Sequence, residues 1–179
     1  MNKKWVLFTP FAALVLTACG QSGQQPANST IQAPSSAEIT TPLPAGSVQP
    51  VSAGDVNSAA LSGQACSLDA VDDDYAAQVS LDKGKPHVFR GWLENNQQKP
   101  AGRFRIVMVG AQDFAIPAET GVPRSDVATA LKNPALEDSG FNVSVDLGSM
   151  PSGDYTVRFL MQTDGKMYWC DAKKNIMLK

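Results

Sequence analysis

Few side chains in this sequence are of a type and spacing that could do chemistry. The only histidine is His87, directly after Pro86 at the start of an alternating run. A general base needs a partner at hydrogen-bond distance and a proton to take. No Gly-x-Ser-x-Gly turn is present to supply a nucleophile. His87 is therefore expected as an ordinary exposed polar residue at a strand start. Asp69, Asp72, Asp73 and Asp74 crowd together. Calcium is held by such carboxylates, but the glycine and distal glutamate of the helix-loop-helix calcium motif are missing. A solvated acidic turn is the reading preferred here. Glu137 and Asp138 are read as a polar loop rather than an acid/base pair. No catalytic residue, metal site or cofactor is expected.

The aromatic and basic residues point to binding rather than reaction. Trp92 is expected in the core, where its bulk fills space between sheets. Tyr168 and Trp169 are adjacent, so on a strand they face opposite ways. One of them must look away from the core and is available to a loop or a partner. A basic strip of Arg90, Arg103 and Arg105 on one sheet is one reading, and scattered solubilising charge is the plainer one. Tyr168, Trp169, Arg103 and Arg105 are the candidate binding residues.

These side chains need elements to position them, and the dominant period is two. Val88, Arg90 and Trp92 alternate with Phe89, Gly91 and Leu93. Phe104, Ile106 and Met108 alternate with Arg103, Arg105, Val107 and Val109, and both faces look partly buried. Phe114 and Ile116 form a short run expected to end at Pro117. Phe141 to Leu147 and Tyr155 to Gln162 alternate again, and Asp164-Gly165 signals a hairpin turn because glycine accepts positive φ. Met167 to Cys170 is expected to return as a strand, with Ile176 to Leu178 as a last one. Ser125 or Asp126 can cap a short helix over Val127 to Lys132, stopped by Asn133-Pro134. Many short strands with one helix predict an all-β fold, a two-sheet sandwich of immunoglobulin-like build, with an open barrel as the alternative.

The N-terminus carries an address. Lys3 and Lys4 precede an apolar run from Trp5 to Val15, interrupted by Thr9 and Pro10. A charged start, a short apolar run and small residues before a cut are the parts of a secretory signal. Leu16-Thr17-Ala18-Cys19 resembles the lipobox of the bacterial lipoprotein signal family at all four positions. That resemblance implies a signal peptide over 1–18, diacylglyceryl transfer to the Cys19 thiol, cleavage before it and acylation of the new amine. By the same resemblance, Gly20 rather than aspartate after the cysteine implies export to an outer membrane, a sorting rule that assumes a Gram-negative host. Loss of Lys3 and Lys4 would take the formal charge from −2 to −4. A mildly acidic chain has no long-range attraction for nucleic acid.

With Cys19 acylated, Cys66 and Cys170 remain of the three cysteines. An even pair in an exported chain is most often a disulfide; buried free thiols are the competing reading. Residues 19–62 are rich in Gln, Ser, Ala, Pro, Thr and Gly, and lack aromatics. Such a segment reads as a disordered linker. Folding is expected to begin near Gln64, giving a domain over 63–179.

The segments Gly121-Val122-Pro123-Arg124-Ser125-Asp126-Val127-Ala128, Ser139-Gly140-Phe141 and Pro151-Ser152-Gly153-Asp154-Tyr155 are similar to small immunoglobulin-like accessory modules of bacterial envelope and glycan-assembly proteins. The resemblance implies a fold and brings no catalytic residues. The expected function is a lipid-anchored, non-enzymatic binding or accessory module for an envelope protein or glycan. A surface-exposed structural or adhesion lipoprotein and an envelope hydrolase are the alternatives.

Overall fold

A computed structural model describes residues 44–52, 54, 56 and 58–179. The expected signal peptide, Cys19 and the expected linker as far as residue 43 lie outside the described residues. Among the described residues no helix is long and apolar enough to cross a membrane.

The fold is all-β, and the described residues form two sheets with a short α-helix between β-strands of the two. The strands are β1 (Gln49–Val51), β2 (Ala60–Leu61), β3 (Cys66–Val71), β4 (Gln78–Leu81), β5 (Pro86–Leu93), β6 (Arg103–Val109), β7 (Asp113–Glu119), β8 (Gly140–Asp146), β9 (Gly153–Thr163) and β10 (Lys166–Leu178). Helix α1 (Ser125–Ala130) and a 3-10 turn (Pro134–Leu136) lie between β7 and β8. The larger sheet runs β1-β7-β6-β9-β10-β2, with β4 also on β10; the smaller runs β3-β5-β8. Strand β10 pairs parallel with β2 at one end and with β4 at the other.

The alternation in the sequence decides what lies between the sheets. Phe104, Phe141 and Phe159 meet edge-to-face with centroids 5.1 to 5.6 Å apart, the arrangement favoured by the ring quadrupole. Gly91 makes room for this cluster, since a Cβ there would strike the Ser67 carbonyl and the Phe141 ring. The Cys66–Cys170 disulfide, Cα atoms 6.5 Å apart, ties β3 of the smaller sheet to β10 of the larger. With 104 residues of separation, chain entropy assigns such a bridge about 4–5 kcal/mol.

A second core forms on the opposite face of the larger sheet. Val107 on β6, Ala115 on β7 and Leu160 on β9 point outward and are covered by Val56 and Ala59, all buried. The chain thus crosses from β1, on the β7 edge, to β2, on β10, as a strap over the sheet. This corrects the boundary expected near residue 62. The segment 44–62 carries no alternating pattern, because its strands are edges held by backbone pairing and its cover over the outer face comes from Val56 and Ala59.

Several local expectations are also corrected. Pro117 does not end β7, which continues to Glu119. Its carbonyl accepts from Gly46 on the open side of the strand, so its missing N–H faces that edge and breaks no pair with β6. Helix α1 starts at Ser125 after Arg124, which provides no side-chain cap. Cys66 opens β3, and the two last strands expected are one, bulged between Asp171 and Asn175. The Asp164-Gly165 turn is as expected, with φ of 52° and 73°.

Candidate functional site

Two regions hold the polar side chains singled out in the sequence. The first is the end of the sandwich where β3 turns back toward β4. Asp72 and Asp73 both adopt left-handed backbone, with φ of 51° and 67°, uncommon for residues with a Cβ. Side chains from β5 hold the turn. His87 Nδ1 lies 2.6 Å from Asp72 Oδ2, and His87 Nε2 lies 2.8 Å from the Asp82 carbonyl oxygen. The other Asp72 oxygen accepts from the Val88 amide at 2.8 Å. Arg90 bonds Asp73.

His87 is 1% exposed, which corrects the expectation of an exposed polar residue. Its neighbours in the strand place it inward, and the Asp72 carboxylate makes that burial tolerable. Partial burial works to raise the Asp72 carboxyl, but the Val88 amide and the charges of His87 and Lys85 outweigh it and lower its pKa. Histidine held by a carboxylate resembles the base and orienting pair of a hydrolase. Here both ring nitrogens already face oxygens of the chain, so neither is turned to a substrate.

The remaining aspartates are engaged in the same way. Arg124 Nη1 donates to Asp69 at 2.7 Å, and its other nitrogens form a fork with Asp126 at 2.8 Å. That fork holds the Asp126 carboxyl down to about 2. Lys174, 3% exposed, donates to the carbonyls of Asp69 and Ala76 at 2.9 and 2.8 Å. Burial pushes its ammonium down, and Asp74 and Asp69 pull against that. Asp74 accepts from the Ala76 amide. Among the described residues no three His, Cys, Asp or Glu side chains are grouped to hold a metal ion. The acidic cluster is thus the anchor of a tight turn, whose carboxylates answer cations of the same chain.

The second region is the outer face of the larger sheet, beside the strap. On β6, Arg103 and Arg105 share this face with Val107. The register places Leu160 between Arg105 and Trp169 across three neighbouring strands. Pro117 flanks Arg105 on the other side, and Leu61 flanks Trp169. Trp169 faces outward and is half-buried, with Arg158 4.4 Å from its ring centroid. Tyr168 faces inward against the main core, as expected for one of the two. Ser58, Ala60, Lys166, Met167 and Tyr168 line an open depression of about 450 Å³ where the strap meets β10.

The structure thus brings Arg103, Arg105 and Trp169 to one face and sends Tyr168 through the sheet. It separates Arg90, which lies on β5 of the smaller sheet and is engaged by Asp73. A single basic strip across Arg90, Arg103 and Arg105 is therefore not formed, since sequence period gives the face within a strand but not the sheet. Trp92 is corrected too: it is half-buried on the outward face of β5, while Phe89 and Leu93 fill the core. Sequence reasoning missed Lys174, Arg124 and Arg158 as participants. Lys174 sits among alternating residues of a late strand, and its inward parity was the available signal.

Comparison of the chain with known protein families, curated proteins and solved structures finds no match.

Proposed function

We propose that this protein is a bacterial lipoprotein, anchored through a lipid on Cys19 to the outer membrane, whose β-sandwich acts as a non-enzymatic binding or accessory module for an envelope protein or glycan. The observation that carries the reading is the Cys66–Cys170 disulfide. Disulfides persist in oxidising compartments such as the periplasm, the destination that the charged start, the apolar run and the Leu16-Thr17-Ala18-Cys19 sequence address.

The sandwich of two sheets is compatible with the immunoglobulin-like accessory modules that its later segments resemble. A binding role is favoured over hydrolysis by the engagement of His87 at both ring nitrogens. Fatty chains supply the anchor, at about 0.8 kcal/mol per buried CH₂.

Intact-mass and peptide analysis of the native protein tests the anchor. The expected result is a chain starting at residue 19 with acyl groups on it, and release of a Cys19→Ser variant from membranes. An unmodified Cys19, or a Cys19→Ser form that stays membrane-bound, contradicts the proposal.

A further inference from the structure

Arg105 is the residue that the fold leaves without a task. Of the five arginines, Arg90 is bonded to Asp73, and Arg124 to Asp69 and Asp126. Arg158 lies over Trp169, and Arg103 lies 4.0 Å from Glu119. Arg105 makes no hydrogen bond, ion pair or ring contact among the described residues. It is nonetheless half-buried, so its stem is partly fixed while its fork stays unfilled. A guanidinium fork matches a carboxylate with two parallel hydrogen bonds.

Its surroundings extend the same chemistry. Arg103 stands two residues away on the same face, about 7 Å along the strand. Its contact with Glu119 is long and solvent-exposed, with side chains 75% and 64% accessible, and such pairs contribute little. Lys166 lines the open depression beside the strap. A chain of net charge −2 thus places two arginines side by side on this face, with Lys166 at the rim of the depression where β10 begins.

We infer that this face binds a polysaccharide bearing carboxylates, with Arg105 as the principal anion contact, Arg103 as the second and the depression beside Lys166 and Met167 receiving the adjoining sugar. The inference rests on the binding-module reading and names its ligand class. The backbone groups of β6 are already paired with β7 and β9, so a ligand lying across this face meets side chains only. An extended peptide gains its affinity by adding to a free sheet edge, and β6, which carries Arg103 and Arg105, is an interior strand with no free edge. A polyuronate needs no such edge and offers carboxylates at regular intervals to successive cations.

Calorimetry on the full chain purified in detergent tests this with polygalacturonate as probe. Neutral dextran, poly-glutamate and phosphatidylglycerol vesicles complete the comparison. The expected result is binding of polygalacturonate, absent for dextran and at least tenfold weaker for poly-glutamate and for vesicles. Arg105→Gln is expected to weaken it at least tenfold and Arg103→Gln severalfold, while Lys179→Gln, at the opposite end of β10 from Lys166, leaves it unchanged. Rising salt should weaken binding steeply, as ion-paired contacts require. Circular dichroism and a melting curve show that Arg105→Gln is folded. No binding of polygalacturonate, equal binding by Arg105→Gln, or a preference for poly-glutamate or vesicles overturns the inference. Those results leave an acylated Cys19 untouched, so the ligand can fail without the anchored module failing.

Discussion

The two charged regions of this domain differ in what their charges do. At the β3–β4 turn, His87, Arg90, Arg124 and Lys174 each face oxygens of the chain itself. On the outer face of the larger sheet, Arg105 faces none among the described residues. The turn needs its charges because two aspartates sit in left-handed backbone, a conformation that costs free energy and persists only when neighbours hold it. The sheet face needs none, because β6 is fixed by its backbone pairs and by Val107 beneath the strap. A polar side chain used for stability is closed; one that is half-fixed and unanswered is available to a ligand.

The contrast is broken most readily at His87. His87→Ala should cost about 2–4 kcal/mol, because it opens a buried space and removes the hydrogen-bond partner of the Asp82 carbonyl and of Asp72 Oδ2, leaving Lys85 3.9 Å from the latter. Urea unfolding measures this. A loss below 0.5 kcal/mol would mean that the turn holds itself and that His87 is free for another role.

A smaller effect is expected in acid. The Asp72 carboxyl lies below its ordinary value, and Asp126 lies at about 2 against 3.8. A carboxyl lowered in the fold contributes stability above its unfolded value and loses that contribution as pH falls through the folded one. Stability should therefore decline from about pH 4 toward pH 2, and less steeply in Asp72→Asn. The same slope in both chains would remove Asp72 from the account of the turn.

The smallest effect sharpens the other side. Arg105→Gln should change stability by less than about 0.5 kcal/mol, as surface changes away from packed features do. A loss of 2 kcal/mol or more in the same urea experiment would show that Arg105 is holding the sheet, and its availability to a ligand would fall with that.

Much of the fold was legible because alternation is a direct record of burial. Phe104, Ile106 and Met108 face the main core as their parity requires, and the opposite parity of Val107 marked a second buried face. What the pattern could not show was the cover on that face. Val56 and Ala59 are two small residues in a polar, proline-containing stretch, and β1 and β2 are defined by backbone pairing with strands far away in sequence. The disulfide was legible from counting cysteines. The burial of His87 was not, because its partner Asp72 lies fifteen residues earlier and only the β3–β5 pairing brings the two together. Of the binding candidates, the shared face of Arg103 and Arg105 followed from spacing. Their placement with Trp169 depended on the order of β6, β9 and β10, which period alone does not encode.

The claim on which this account turns is that the outer face of the larger sheet, not the β3–β4 turn, meets the partner. A photocrosslinking residue placed at position 103 or at position 73 in the full-length protein, and activated in intact cells, compares the two directly. The account predicts covalent capture of one envelope component from position 103 and none from position 73. Capture from position 73 alone, or from both positions equally, would contradict it.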